Sequence, residues 1–111
     1  MIYTTYFAKT KSIKEKDKLV SITRFPPKNI NMKSFQKLAP SKELLNKYKT
    51  DGDKEYFKNE FNKYLDSLDV KAFAEFLDGY ILCCYEKSTD FCHRHLVAEW
   101  FRRNGHDCEE L

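Results

Sequence analysis

Two spacings of apolar residues divide this chain. In the first, β-branched and aromatic residues gather in short runs, Ile2 to Phe7 and Leu19 to Thr23. Such residues suit a pleated, half-buried surface, so both runs predict strands. The second run stops at Phe25-Pro26-Pro27, where the prolines remove N–H donors and force an extended exit. Tyr80 to Tyr85 is apolar without a break. A strand covered on both faces, as in a parallel sheet, needs that pattern.

The second spacing is helical. Phe57, Phe61, Tyr64, Leu65 and Leu68 recur on one side of a segment that Asp53 can cap and that runs to about Leu68. Ser41, after Pro40, caps a shorter helix through Lys49 whose apolar side is Leu44, Leu45 and Tyr48. Asp69 caps Val70 to Asp78, with Val70, Phe73, Phe76 and Leu77 inward, and Gly79 closes it as the residue after the cap. Leu96, Val97, Trp100 and Phe101 mark the buried side of a last helix, Arg94 to Asn104, closed by Gly105.

Between these elements the pattern is weaker. Thr10 to Lys18 reads as a loop or a short helical turn. Lys28 to Ala39 reads as irregular, with a turn near Met32 to Leu38. His106 to Leu111 reads as a short returning edge strand. Together the elements predict a small single-domain α/β fold over residues 1–111, a mainly parallel three- or four-stranded sheet flanked by helices on both faces. Phe61, Leu65, Phe73, Leu77, Leu82, Val97 and Phe101 form the expected core.

Composition narrows the class. The chain has 111 residues, enough for one modest core. No apolar run approaches the roughly 18 residues of a spanning helix, and the N-terminus lacks a signal-peptide pattern. The expected setting is cytoplasmic, with no membrane partner and all four cysteines reduced. Adjacent Cys83 and Cys84 point to opposite faces of a strand, which argues against a disulfide framework. The net charge of +3 comes without a dense basic stripe interleaved with aromatics. The lysines therefore read as solvated surface more readily than as a nucleic-acid track.

The chemistry gathers after the third strand. Ser88-Thr89-Asp90-Phe91 reads as a short loop, and Cys92-His93-Arg94-His95 then opens the last helix. A helix N-terminus exposes unpaired N–H groups and partial positive charge, which binds anions and favours a thiolate. Cys92 is therefore a candidate nucleophile, against a reading as a small buried residue closing the loop. His93 is a candidate acid or base, with Glu86 as a second proton carrier. His95 can pair with Glu99 one turn on. Arg94 can clamp a phosphate or carboxylate, or form a salt bridge to Glu86 or another local carboxylate. Arg24, at the end of the second strand, reaches the same edge if strands two and three are parallel neighbours. Tyr56, Tyr3 and Tyr6 can line the pocket or sit at the core edge. Cys83 and Cys84 read as core packing. Cys108 reads as exposed, its pKa raised by Asp107, Glu109 and Glu110. Zinc held by Cys83 or Cys84, Cys92, His93, His95 and Cys108 is a competing reading, without any Cys-x-x-Cys pair to support it.

The stretch Leu82 to Trp100, LCCYEK followed by FCHRHLVAEW, resembles the domain-of-unknown-function 488 (DUF488) family. So do Ile22-Thr23-Arg24-Phe25-Pro26, the LAPS segment from Leu38 to Ser41, Tyr56-Phe57, and the closing Gly105, Glu110 and Leu111. The resemblance covers nearly the whole chain. Family members more often carry Asp-Val-Arg at the second strand; this chain keeps the arginine and lacks the aspartate. The resemblance implies a three-layer α/β domain with the Cys-His-Arg loop at its functional edge, and it implies no particular reaction. By match it transfers Arg24, Cys83 or Cys84, Glu86, Cys92, His93, Arg94 and Glu99.

The expectation is therefore a site for a small anionic or nucleotide-like ligand, without a cofactor or metal. Cys92, His93 and Glu86 would be catalytic, and Arg24, Arg94 and Tyr56 would bind the ligand. The alternatives are a non-catalytic nucleotide- or nucleic-acid-binding module and a zinc-stabilised structural domain.

Overall fold

The structure, a computed structural model, describes residues 1–86 and 91–111. Its strands are β1 (Ile2–Tyr6), β2 (Leu19–Ser21), β3 (Lys33–Ser34), β4 (Ile81–Cys84) and β5 (Cys108–Glu110). All pair in parallel, in the order β3-β2-β4-β1-β5. The sheet thus has five strands rather than three or four. The added one, β3, is two residues long and pairs Val20 with Lys33 and Ser21 with Ser34. Two exposed polar residues carry no alternation, so the segment reads as irregular in sequence. The returning edge strand is present as β5, paired with β1.

The helices begin where the caps place them. In α1 (Lys42–Asp51), α2 (Lys54–Asp66) and α3 (Val70–Phe76), the side chains of Ser41, Asp53 and Asp69 accept from the N–H groups of Leu44, Tyr56 and Ala72. Each bond satisfies one of the donors that a helix start leaves unpaired. Gly79, at φ 85°, follows α3 and lets the chain turn into β4 in a conformation that suits glycine. The last helix, α4 (His93–Arg103), starts at Cys92, whose backbone is extended and whose side chain caps nothing.

Side chains alternate across the sheet. One face carries Ile2, Val20, Ile22, Leu82 and Cys108 against Phe57, Phe61 and Leu65 of α2 and Leu96, Val97, Trp100 and Phe101 of α4. The other carries Leu19, Ile81 and Cys83 under Phe7. The 3-10 turn Phe7–Ser12 and the half-buried Ile13, Ile30 and Met32 close that side. Helices on both faces were expected; here α-helices cover one face, and a 3-10 turn and coil cover the other. Of the expected core residues all are buried except Phe73, which packs half-buried against Trp100. Phe76, expected inward, is 65% exposed. It is the final residue of a seven-residue helix and rests beside Phe35 at the surface.

Candidate functional site

Parallel pairing of β2 with β4 brings the chain after Ser21 beside the end of β4. Arg24 and the start of α4 therefore share the C-terminal edge of the sheet, where open α/β sheets place their ligands. A single contact ties the two together. His93 Nε2 lies 2.6 Å from the carbonyl oxygen of Ile22. A carbonyl only accepts, so Nε2 carries the proton and Nδ1 of the neutral ring is left as an acceptor. Nδ1 stands 4.0 Å from Cys92 Sγ. Burial pushes the His93 pKa from 6.5 down to about 4; the Ile22 carbonyl opposes the shift, and Arg94 and His95 add to it. His93 is thus neutral near pH 7. The edge of its ring meets Phe61 at 5.7 Å.

Cys92 is only 4% exposed, and its sulfur is joined to that of Cys84. This corrects the expectation of four reduced cysteines without a disulfide. The alternation argument separates Cys83 from Cys84, and it leaves Cys84 on the face that α4 covers. Cys84 ends its strand below the start of α4, so the two sulfurs meet across the strand–helix connection. Cys83, on the opposite face, is pushed up to about 12 by burial. Cys108 is a second correction: it is buried, not exposed. Its pKa is raised to about 11, chiefly by burial, with Glu110 and Glu109 adding to the shift and Arg102 opposing it.

Arg94 is fully buried and committed to the protein. Its Nε and Nη2 donate to the Glu110 carboxylate, with Nη2 at 2.7 Å from Oε2. Nη1 donates to Cys84 Sγ at 3.1 Å and to the main-chain oxygen of Glu86. Thr4 Oγ1 donates to the other Glu110 oxygen. Arg94 does bridge a carboxylate, but not Glu86 or another local one as expected: the partner, Glu110, is sixteen residues away on β5. Glu86 enters this network through its carbonyl, and its side chain is exposed. Sequence reasoning missed Glu110, although a signal was present. Alternation in β5 puts Glu110 on the same face as the inward Cys108, and an inward carboxylate needs a cation.

Arg24 is the opposite case. Its Nε donates to the Pro40 carbonyl at 3.2 Å, which fixes the plane of the guanidinium. Among the described residues its two Nη groups have no protein partner. Arg24 lines two cavities. One, of about 300 Å³, is bounded by Arg24, Lys49, Tyr85 and His93. The other, of about 400 Å³, is bounded by Arg24, Glu43, Lys47, Tyr56, Glu60 and Tyr64. Tyr56 therefore stands at an Arg24 cavity and away from the cysteines. Tyr6 lies under the Arg94 guanidinium, 5.8 Å away, and Tyr3 is on the opposite face of the sheet.

Cys84, Cys92 and His93 bring two sulfurs and a ring nitrogen within 4.8 Å of one another, a donor set that suits zinc only once the Cys84–Cys92 bond is reduced to thiolates. Against it stands the Arg94 guanidinium on Cys84 Sγ, which occupies a sulfur lone pair and repels a cation. His95 and Cys108 do not join the set among the described residues.

The family model DUF488-N3a, described as the active DUF488-N3 subclade, matches residues 3–105. No curated protein and no solved structure matches the chain.

Proposed function

The chain belongs to the DUF488 family, and from that premise we propose that it binds and acts on a phosphorylated or nucleotide-like ligand where Arg24, His93 and Cys92 meet. The observation that carries this reading is the His93–Ile22 hydrogen bond. It ties an anion-seeking arginine strand end to a helix start and selects the imidazole tautomer whose free nitrogen faces the Cys92 sulfur. Arg24 and Lys49 hold the anion beside His93. A cellular dithiol first reduces the Cys84–Cys92 bond, supplying two electrons and two protons and leaving as its own disulfide. The freed Cys92 then attacks an electrophilic carbon or phosphorus, its proton passes to His93 Nδ1, and the leaving group departs with the electrons of the broken bond. The low His93 pKa disfavours a resting thiolate–imidazolium pair, so the proton moves only as the new bond forms. The reading requires a setting that supplies a thiol reductant to the Cys84–Cys92 bond, as the cytoplasm does.

A non-catalytic ligand-binding module is the second reading, favoured by the burial of Cys92. Alkylation separates the two. After reduction, limited labelling at about pH 6.5 should mark Cys92 ahead of Cys83 and Cys108, whose pKa values lie near 12 and 11. Labelling of Cys108 first favours the binding module. Inorganic phosphate should raise the melting temperature of the native protein and leave Arg24→Gln unchanged. If neither phosphate nor a nucleotide shifts it, the ligand reading fails in both forms. Zinc recovered in stoichiometric amount would replace both with the structural-metal alternative.

A further inference from the structure

The two cavities that meet at Arg24 differ in charge, and the difference names the ligand more closely than an anion site does. Among the described residues, the smaller one has two cationic residues on its wall, Arg24 and Lys49, and no acid. The larger has Arg24 and Lys47 balanced by Glu43 and Glu60. Lys47 is further neutralised by an ion pair with Asp51, and Glu60 by one with Lys63, while Lys47 lies 4.3 Å over the Tyr56 ring. An anion is therefore favoured in the smaller cavity alone. The larger one suits a neutral group that donates hydrogen bonds to carboxylates and covers aromatic surface. Tyr56 and Tyr64, 40% and 39% exposed, supply that surface. Tyr64 is held in place by its hydroxyl, which donates to the Lys37 carbonyl at 2.6 Å.

We infer that the ligand is a nucleoside monophosphate, with its phosphate on Arg24 and Lys49 and its nucleoside in the larger cavity. This rests on the ligand reading above. Hydroxyl and amino groups of the nucleoside donate to Glu43 and Glu60, and its ring covers Tyr56 and Tyr64. Arg24 stands at the junction with both Nη groups available, so it anchors the charged end. Each cavity is of small-ligand size.

The test is a calorimetric titration of the reduced, full-length protein with inorganic phosphate, adenosine and each of the four common nucleoside monophosphates. At least one monophosphate should bind about tenfold or more tighter than phosphate, the gain expected from one base–aromatic contact. Tyr56→Ala and Glu60→Gln should remove that excess and leave phosphate binding unchanged. Both residues are on the outer face of α2, so the variants should fold; melting curves check this. Arg24→Gln should lose phosphate and monophosphate alike. Phosphate binding as tightly as every monophosphate overturns the two-cavity assignment and leaves the anion site standing. Adenosine binding as tightly as its monophosphate overturns the anchoring role of Arg24. Loss of all binding, with folded protein, ends this inference and the ligand reading together.

Discussion

Arg94 and Arg24 both stand at the C-terminal edge of one parallel sheet, and they hold different things. Arg94 is fully buried, and its donors go to Glu110, Cys84 Sγ and the Glu86 carbonyl. Among the described residues Arg24 spends only its Nε on the protein, at the Pro40 carbonyl. The first joins the edge strand β5 to α4 and holds Cys84 and Glu86 at the end of β4. The second leaves a fork of donors at the junction of two cavities. A guanidinium beside reactive-looking residues is thus not a ligand clamp by position. What decides its role is whether the fold supplies a carboxylate in reach before a ligand does.

The largest effect should come from removing the buried arginine. Arg94→Ala takes the guanidinium from the Glu110 carboxylate, and losing one partner of a buried pair costs about 3–5 kcal/mol. Urea unfolding should report it, and a loss below about 1 kcal/mol would make Arg94 a surface-like residue after all.

The pH dependence of His93 comes next. Its pKa falls from 6.5 to about 4 on folding. Between those values the unfolded chain binds a proton that the folded protein does not. Stability therefore drops as pH falls through that window, and His93 adds no further change above it or below it. The drop amounts to about 3 kcal/mol. Denaturant unfolding from pH 7 to 4 should show this decline in the native protein and a shallower one in His93→Gln. Equal slopes would assign the titration to other groups.

Glu110→Gln should cost about 1–3 kcal/mol, because an amide still accepts from Arg94 but no longer offsets its charge. The thermal midpoint of this variant should fall between those of the native protein and Arg94→Ala. The smallest effect on stability is expected at Arg24. Arg24→Gln should change unfolding free energy by less than about 1 kcal/mol, while it abolishes protection by phosphate. A variant that loses several kcal/mol would erase the contrast between the two arginines.

Much of the fold is legible in order along the chain. Ser41, Asp53 and Asp69 mark helix starts because a short oxygen-bearing side chain reaches the next turn's N–H, a contact contained within four residues. Phe61, Leu65, Val97 and Phe101 read as core because helical spacing is local. The apolar run at β4 reads as a covered strand for the same reason. Cys92, His93 and Arg24 are legible as candidates, since a thiol and an imidazole at a helix start and an arginine at a strand end are visible in sequence.

Partnership is what the chain alone does not determine. Arg94 meets Glu110 because β5 pairs with β1, a pairing that nothing around Arg94 encodes. Cys84 meets Cys92 because β4 ends beneath α4, and His93 takes its tautomer from a carbonyl 71 residues away. Phe76 has the right spacing to face inward, yet its helix ends before the core reaches it. Local residue chemistry selects elements and candidates, whereas hydrogen bonds and ion pairs depend on ångström distances between segments far apart in sequence. Those distances exist only once the sheet order β3-β2-β4-β1-β5 is in place.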